Sequence, residues 1–280
     1  MSQTLSPGLY IVATPIGNLS DLSPHAAEVL ARADLLAVED SRVTARLLSH
    51  VGVKRPMTAY HDHNADRVRP GLIAQMVDKA VALVSDAGTP LISDPGYKLV
   101  RDARAAGVEV HTVAGPCAAI AALTLAGLPT DRFLFVGFLP AKASARKAAI
   151  EEVAAVRATL ILYESGPRLG ACLAALSQVL GDREAAMVRE ISKKFEETVT
   201  GTLAGLARRY ADIPPPKGEI VLVVGPPGEA GVAADADVDA AVREALTRLS
   251  PSRAAAEVAE ALGLPKRHVY ARAQLLKKTH

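Results

Sequence analysis

Runs of consecutive apolar residues alternate along this chain with longer stretches in which apolar positions recur every three or four residues. That alternation is the signature of strands buried on both faces and separated by helices. The apolar runs predict strands at residues 9–13, 35–38, 81–84 and 108–113. Ser23 followed by Pro24 predicts a helix start, with Ser23 as N-cap, Pro24 at the first helical position, and Ala27, Leu30 and Ala33 on one face. Gly52 and Gly107 stand where helices should end. This first set closes near Ala114-Gly115-Pro116. A second set predicts strands at residues 133–138, 159–163, 185–189, 198–201 and 220–224. Among the helices between them, residues 142–155 are charged and Ala-rich and are expected to be solvated.

Pro226-Pro227-Gly228-Glu229-Ala230-Gly231 offers neither periodicity nor a large apolar side chain and reads as a linker. Beyond it, helices are predicted over 237–249, from Pro251 to Leu262, and over 265–278, the last two joined by Gly263-Leu264-Pro265 in the manner of a helix-turn-helix. From Pro251 onward six Lys or Arg face two Glu, so this end is locally basic. It fits either a nucleic-acid contact or a capping hairpin with solvated charges. The fold class expected is α/β: two α/β domains at residues 1–115 and 116–227, then a linker and a small basic helical domain at 228–280.

Composition narrows the function. A chain of 280 residues, half of them apolar, can bury cores for two ordinary domains. The formal net charge of +2 is too small to announce a nucleic-acid partner. Aromatics are scarce and Trp is absent, which argues against a base-stacking platform; any RNA contact would have to come mainly through charge, backbone and shape. Cys117 and Cys172 are far apart, which excludes a disulfide framework and a thiolate zinc site and suits a reducing cytoplasm. The first residues lack a basic start with an apolar run, and apolar runs elsewhere are too short for a membrane span; a cytoplasmic protein with no membrane partner is expected.

The chemistry gathers in five places. At Ser85-Asp86-Ala87-Gly88-Thr89-Pro90-Leu91-Ile92-Ser93-Asp94-Pro95-Gly96 a buried strand empties into a small-residue, carboxylate-bearing loop. Ligands of open α/β sheets bind outside the carboxyl ends of strands, where glycine lets backbone approach them. Thr14-Pro15-Ile16-Gly17-Asn18-Leu19 forms another strand-to-helix turn, although its single glycine is not a dinucleotide fingerprint and no Walker lysine follows. Glu39-Asp40-Ser41-Arg42 ends a strand, and Asp40 and Arg42 either join a binding rim, or pair with each other, or cap the next helix. His61-Asp62-His63-Asn64 suits substrate hydrogen bonding better than metal, because adjacent loop positions do not aim two imidazoles at one ion; no metal is expected. The segment 189–197 holds three positive and three negative side chains in nine positions, which a solvated loop would also explain.

Together these segments resemble the tetrapyrrole methylase superfamily of S-adenosylmethionine (SAM) enzymes, and most of all its branch that methylates a cytidine 2'-oxygen in small-subunit (16S) ribosomal RNA. The resemblance runs from about residue 9 to the end of the chain. Two positions depart from the superfamily pattern: Thr89 replaces an Asp, and Cys117 stands at a Ser. The resemblance implies SAM in the cleft between the two α/β domains, contacted by Pro15, Ile16, Gly17, Thr89, Pro90, Ile92, Cys117, Ala118, Tyr163 and Glu164. It also implies a homodimer and no metal for SAM binding. Ribosomal RNA, in an assembled particle, would enter over Asp40, Arg42, His61, His63 and Asn64, with Lys194 on phosphate. The proton of the ribose hydroxyl would pass to Asp86, Lys193 or Glu190, a lysine serving only if its pKa is lowered. Two rival readings are a small-molecule corrin methylase, for which the basic appendage would be dispensable, and a non-enzymatic nucleic-acid-binding regulator, which would not bind SAM.

Overall fold

The computed structural model describes residues 4–228, 235–262 and 266–278. Part of the expected linker, from Glu229 to Gly231, and the Gly263-Leu264-Pro265 turn lie outside the described residues, as do the first three residues.

The first sheet contains β1 (Gly8–Val12), β2 (Leu35–Val38), β3 (Met57–Ala59), β4 (Ala80–Val84) and β5 (Val110–Val113), all parallel, in the order β3-β2-β4-β1-β5. Helices α1 (Pro24–Arg32), α2 (Ser41–Val51), α3 (Ala65–Gln75) and α4 (Tyr97–Ala105) connect successive strands. Every residue of β2 and β4 is buried, because helices cover both faces of a parallel sheet. Tyr10, Val12, Leu36 and Val84 pack with α1 and α2 on one face; Leu9, Ala37, Val81 and Leu83 pack with Leu72 of α3 and Leu99 of α4 on the other. Full burial of such side chains contributes about 1.5–3 kcal/mol each. Ser23 caps α1 by accepting the Ala26 N–H at 3.0 Å, and Gly52 closes α2 in the left-handed conformation, at φ 77°. β3 escapes the hydrophobic pattern because it is three residues long and mostly exposed.

The strand order has one functional consequence. β1 and β4 are neighbours, but the chain leaves β1 toward β2, beyond β4, and leaves β4 toward β5, beyond β1. This is a topological switch point, where the departing loops separate and leave a crevice.

After α5 (Ala118–Leu125) the second sheet is mixed: β6 (Phe133–Phe138), β7 (Thr159–Ser165), β8 (Glu184–Arg189), β9 (Glu197–Thr202) and β10 (Glu219–Val224), in the order β6-β7-β10-β8-β9. Only β6 and β7 are parallel. Leu160, Leu162 and Leu222 face α7 (Gly166–Leu180) and α8 (Leu203–Arg209); Ile161, Val188, Val221 and Val223 receive Ile16 and Ala119, Ala122 and Leu123 of α5. The first-sheet turn and α5 therefore seal one face of the second sheet. Helix α6 (Ala143–Val153) is solvated except for a stripe carrying buried Arg146 and Ile150.

The α/β part up to Ala154 and from Ala158 to Gly225 forms one compact unit. The helices α9 (Asp235–Leu246), α10 (Pro251–Leu262) and α11 (Lys266–Lys278) belong to a second, with a small core of Val238, Val242, Ala254, Val258, Val269 and Ala273 and an Arg272–Asp239 ion pair at 2.6 Å. No helix among the described residues is long and apolar enough to cross a membrane.

Candidate active site

At the switch point the turns after β1, β4 and β5 are stitched together by their own polar groups. The Thr14 N–H donates to the Gly88 carbonyl at 2.8 Å, and the Gly88 N–H returns to Thr14 at 3.1 Å. The Thr89 hydroxyl donates to the Pro116 carbonyl at 2.9 Å, joining the third turn. Gly88 is left-handed at φ 79°, and a Cβ there would stand 3.3 Å from Ile16 Cγ2, so the loops approach at a distance a side chain would strain. Leu91 and Ser93 are also left-handed, at φ 75° and 64°. Such conformations cost about 1–3 kcal/mol each and persist where surrounding structure imposes them, often at functional sites.

These loops open on a cavity of about 260 Å³. Ile16, Thr89, Ile92, Cys117, Ala118, Tyr163, Glu164 and Asp86 all line it, so one space collects most of the residues the sequence nominated for cofactor binding and one nominated for catalysis. Pro15, Gly17 and Pro90 do not line it; Pro90 is buried beneath the loop and Gly17 abuts Lys193. Side chains alternate along β7, so although Tyr163 and Glu164 both border the cavity their polar groups are engaged on opposite faces of the sheet. Tyr163 belongs with Ile161 on the cavity side, and its hydroxyl accepts the Ala119 N–H at 3.2 Å. Burial raises the pKa of this phenol, which stays protonated. The Glu164 carboxylate instead accepts the Ser165 N–H at 2.8 Å and pairs with Arg168 at 3.2 Å. Its nearness to the buried Cys172 adds to the burial that pushes that thiol up to about 12.

Glu39, Asp86 and Asp94 bring three carboxylates to the cavity wall. Burial pushes the Asp94 carboxyl up to about 6, with the charge of Glu39 adding to it and a hydrogen bond from Ser85 opposing it. Asp86 is raised by burial despite accepting the Asp40 N–H at 3.0 Å. Glu39 is raised by burial and then by the charge of Asp86. This wall is short of positive charge, and a cation entering the cavity would relieve it.

The second charged loop behaves differently. The Lys193 ammonium donates to Glu219 at 2.8 Å and to Glu190 at 3.0 Å, and Glu219 lines the cavity. Partial burial alone would lower the lysine's pKa, but its hydrogen bonds to Glu219 and Glu190 outweigh that and the net shift is upward. The condition on which Lys193 could serve as a base is therefore unmet in this arrangement. Glu190 is held ionised, chiefly by its hydrogen bond with Lys193. A Cβ on Gly17 would collide with the Lys193 stem at 2.4 Å, so only glycine lets the first turn and this loop touch. Ser192 also hydrogen-bonds to Asp21. Glu190 and Ser192 are left-handed at φ 52° and 62°, repeating the strain of the first loop.

The residues nominated for RNA lie outside the cavity lining. Asp40 caps α2 through the Arg42 N–H at 2.8 Å and pairs with the Arg42 side chain at 2.6 Å, which holds its carboxyl at about 2. Asn64 accepts the His61 N–H and donates to the Ala59 carbonyl, both at 2.9 Å, fixing its own loop. The rings of His61 and His63 meet edge-on at 6.0 Å. The charges of His61 and Asp62 reach Glu39, so this loop stands beside the acidic wall. The Lys194 ammonium sits 5.6 Å from the exposed Phe195 ring.

Sequence reasoning passed over Glu39, Asp94, Phe138 and Glu219 as site residues. The first two stand in the same loops as nominated residues, and a rule that counts every carboxylate in a loop at the carboxyl end of a first-sheet strand would have found them. Phe138 and Glu219 terminate strands of the second sheet, and only tertiary structure brings them to the first.

Two family descriptions match the chain: tetrapyrrole (corrin/porphyrin) methylases over residues 8–207, and the RsmI C-terminal HTH domain over residues 232–277. The chain is 54% identical over 276 residues to ribosomal RNA small subunit methyltransferase I of Erythrobacter litoralis, covering 99% of this chain and 98% of that protein. It is 49% identical over 280 residues to the protein of that name from Mesorhizobium japonicum, covering 99% and 95%. Among solved structures, diphthine synthase superposes with a TM-score of 0.61 at 18% identity over 78% of this chain and 89% of that one, a likeness of fold.

Proposed function

The chain belongs to the tetrapyrrole methylase family and, within it, to the ribosomal RNA small subunit methyltransferase I group, and from that premise we propose that it methylates the ribose 2'-oxygen of a cytidine in 16S ribosomal RNA. It is a SAM-dependent methyltransferase. The observation that carries the site reading is the acidic cavity at the switch point. Glu39, Asp86 and Asp94 suit a cationic sulfonium and ammonium, and Ile16, Ile92, Ala118 and Tyr163 suit an adenosine. When bound, SAM supplies an already activated methyl electrophile.

The chain's own residues then have limited work. The stitched turns of Thr14, Gly88 and Thr89 hold the pocket in one shape before ligand arrives, so orientation costs little at the moment of reaction. Asp86 is the group we assign to take up the hydroxyl proton, because its carboxyl lines the cavity and burial raises its pKa above the ordinary carboxylate value. Lys193 and Glu190 are assigned to hold the second loop against Gly17 and Glu219. The Asp40–Arg42 and His61–Asn64 loops, with Lys194, form the side on which RNA enters.

We further take residues 1–115 and 116–227 as the two α/β domains, residues 228–280 as an RNA-docking appendage, the assembled small subunit as substrate, a homodimer as the working form and the cytoplasm as its place. Arg253, Lys266 and Arg267 are exposed on the appendage. A chain ending at Gly225 should bind substrate more weakly, with a flatter salt dependence and unaltered SAM binding. The test of the whole reading is incubation with labelled SAM and, separately, assembled small subunits, naked ribosomal RNA and a tetrapyrrole. Label recovered as 2'-O-methylcytidine from the subunit supports it. Label in the tetrapyrrole alone, or no transfer at all, overturns it.

A further inference from the structure

Phe138 ends β6 with 56% of its surface exposed and lines the cavity, a costly place for a large apolar ring. It reaches there through a defect in the strand. The register of β6 on β7 shifts between Phe135 and Gly137, and Gly137 is left-handed at φ 74°. In a regular strand, residues three apart point to opposite faces. The bulge cancels that alternation, so that Phe135 and Phe138 both meet Tyr163 edge-on, at centroid distances of 5.0 and 5.5 Å. Bulges recur beside active sites, where they re-aim a side chain. Gly137 also stands where a Cβ would meet Ser93 Oγ at 3.2 Å, so the bulge sits against the strained loop after β4.

We propose that Phe138 is the stacking surface for the nucleobase of the acceptor nucleotide, a pyrimidine turned out of its stack so that its ribose reaches the cavity. This rests on the methyl-transfer reading above. The occupant follows from the layout. The carboxylates and the buried part of the cavity suit the cationic cofactor, whereas Phe138 is at the solvent side, where a macromolecular substrate must enter. Tyr163 supports the Phe138 ring from one direction by an edge contact, and the exposure of the ring leaves surface for a planar partner. Unpaired RNA bases are recognised by stacking on aromatic rings, and one well-placed ring serves even in a chain poor in aromatics.

The experiment uses the full chain, with assembled small subunits as substrate and SAM binding followed by calorimetry. Phe138→Ala should raise the KM for the subunit about tenfold or more, the scale of one lost base stack, while SAM affinity stays within about twofold of the parent. Phe138→Leu, which keeps apolar bulk without a π face, should show most of the same defect; Phe138→Tyr and Phe138→Trp should recover near-parental KM. Retained SAM binding certifies that each variant is folded. Reduced SAM affinity with an unchanged subunit KM would make Phe138 a cofactor wall and overturn the proposal, as would full recovery by Phe138→Leu. If the parent protein itself labels no small-subunit RNA, the methyl-transfer reading falls, and the assignment of Phe138 falls with it.

Discussion

The loop after β4 and the loop after β8 each carry several charges and two left-handed non-glycine residues, yet their electrostatics are opposite. In the first, Asp86 and Asp94 face the cavity alongside Glu39, and burial raises all three carboxyls; no Lys or Arg stands among the described residues that line the cavity, although the charge of Arg42 reaches Asp86 from outside it. In the second, Lys193 is clasped between Glu190 and Glu219, and its charge is spent inside the protein. Formal charge in the sequence does not distinguish the two. Compensated charge fixes a loop in place; uncompensated charge at a cavity is available to a ligand.

The contrast can be broken most severely at Asp86. Asp86→Asn keeps shape and removes the base, so kcat should fall by about 10²–10⁴ with SAM affinity far less affected; near-parental single-turnover rates would remove Asp86 from the chemistry and make His61 the next candidate. Thr89→Trp fills the first loop and breaks its bond to Pro116. SAM affinity should drop at least about a hundredfold, equivalent to about 2.8 kcal/mol, while circular dichroism shows a folded protein. Unchanged affinity in that folded variant would take the loop out of the pocket.

Lys193→Ala should lower kcat more modestly, by about tenfold, on the scale of 1.4 kcal/mol, and more than it lowers SAM affinity. Because the lysine acts by holding Glu190 and Glu219, the shape of the pH–rate profile should survive and Lys193→Arg should restore most activity. A lost limb in that profile would return Lys193 to the role of base.

The smallest effect tests the first loop's strain. Asp94 has a folded pKa of about 6 against an ordinary value of 3.8. A carboxyl raised on folding contributes stability that is full below pH 3.8 and is lost as pH rises through 6. Asp94→Asn should therefore stabilise the ligand-free protein at pH 8 by about 1 kcal/mol after allowance for partial exposure, raising Tm by about 2–3 °C, and should do nothing near pH 4. SAM affinity should move the other way. It should rise through pH 6 in the parent and lose that rise in the variant, as measured by calorimetry across pH.

Much of the scaffold was legible beforehand. The predicted strand at residues 35–38 coincides with β2 and that at 133–138 with β6, and Ser23 caps α1 as read. These succeed because apolar runs and caps are local properties. β3 was not legible, since three mostly exposed residues paired to β2 carry no periodicity. Of the site, Ile16, Asp86, Thr89, Ile92, Cys117, Ala118, Tyr163 and Glu164 reach one cavity, while the side chains of Asp40 and Asn64 are engaged in local hydrogen bonds.

Sequence by itself determined the alternation of strand and helix, the glycines that permit left-handed turns, and the residue types concentrated after β1, β4 and β5. Those depend on neighbours along the chain. Only tertiary structure decided which charges meet a partner, that Glu219 neutralises Lys193, and that the bulge at Gly137 turns Phe138 toward the cavity. Such outcomes depend on the order of strands and on how the two sheets pack together, which brings residues more than a hundred positions apart into contact, as Ser192 meets Asp21.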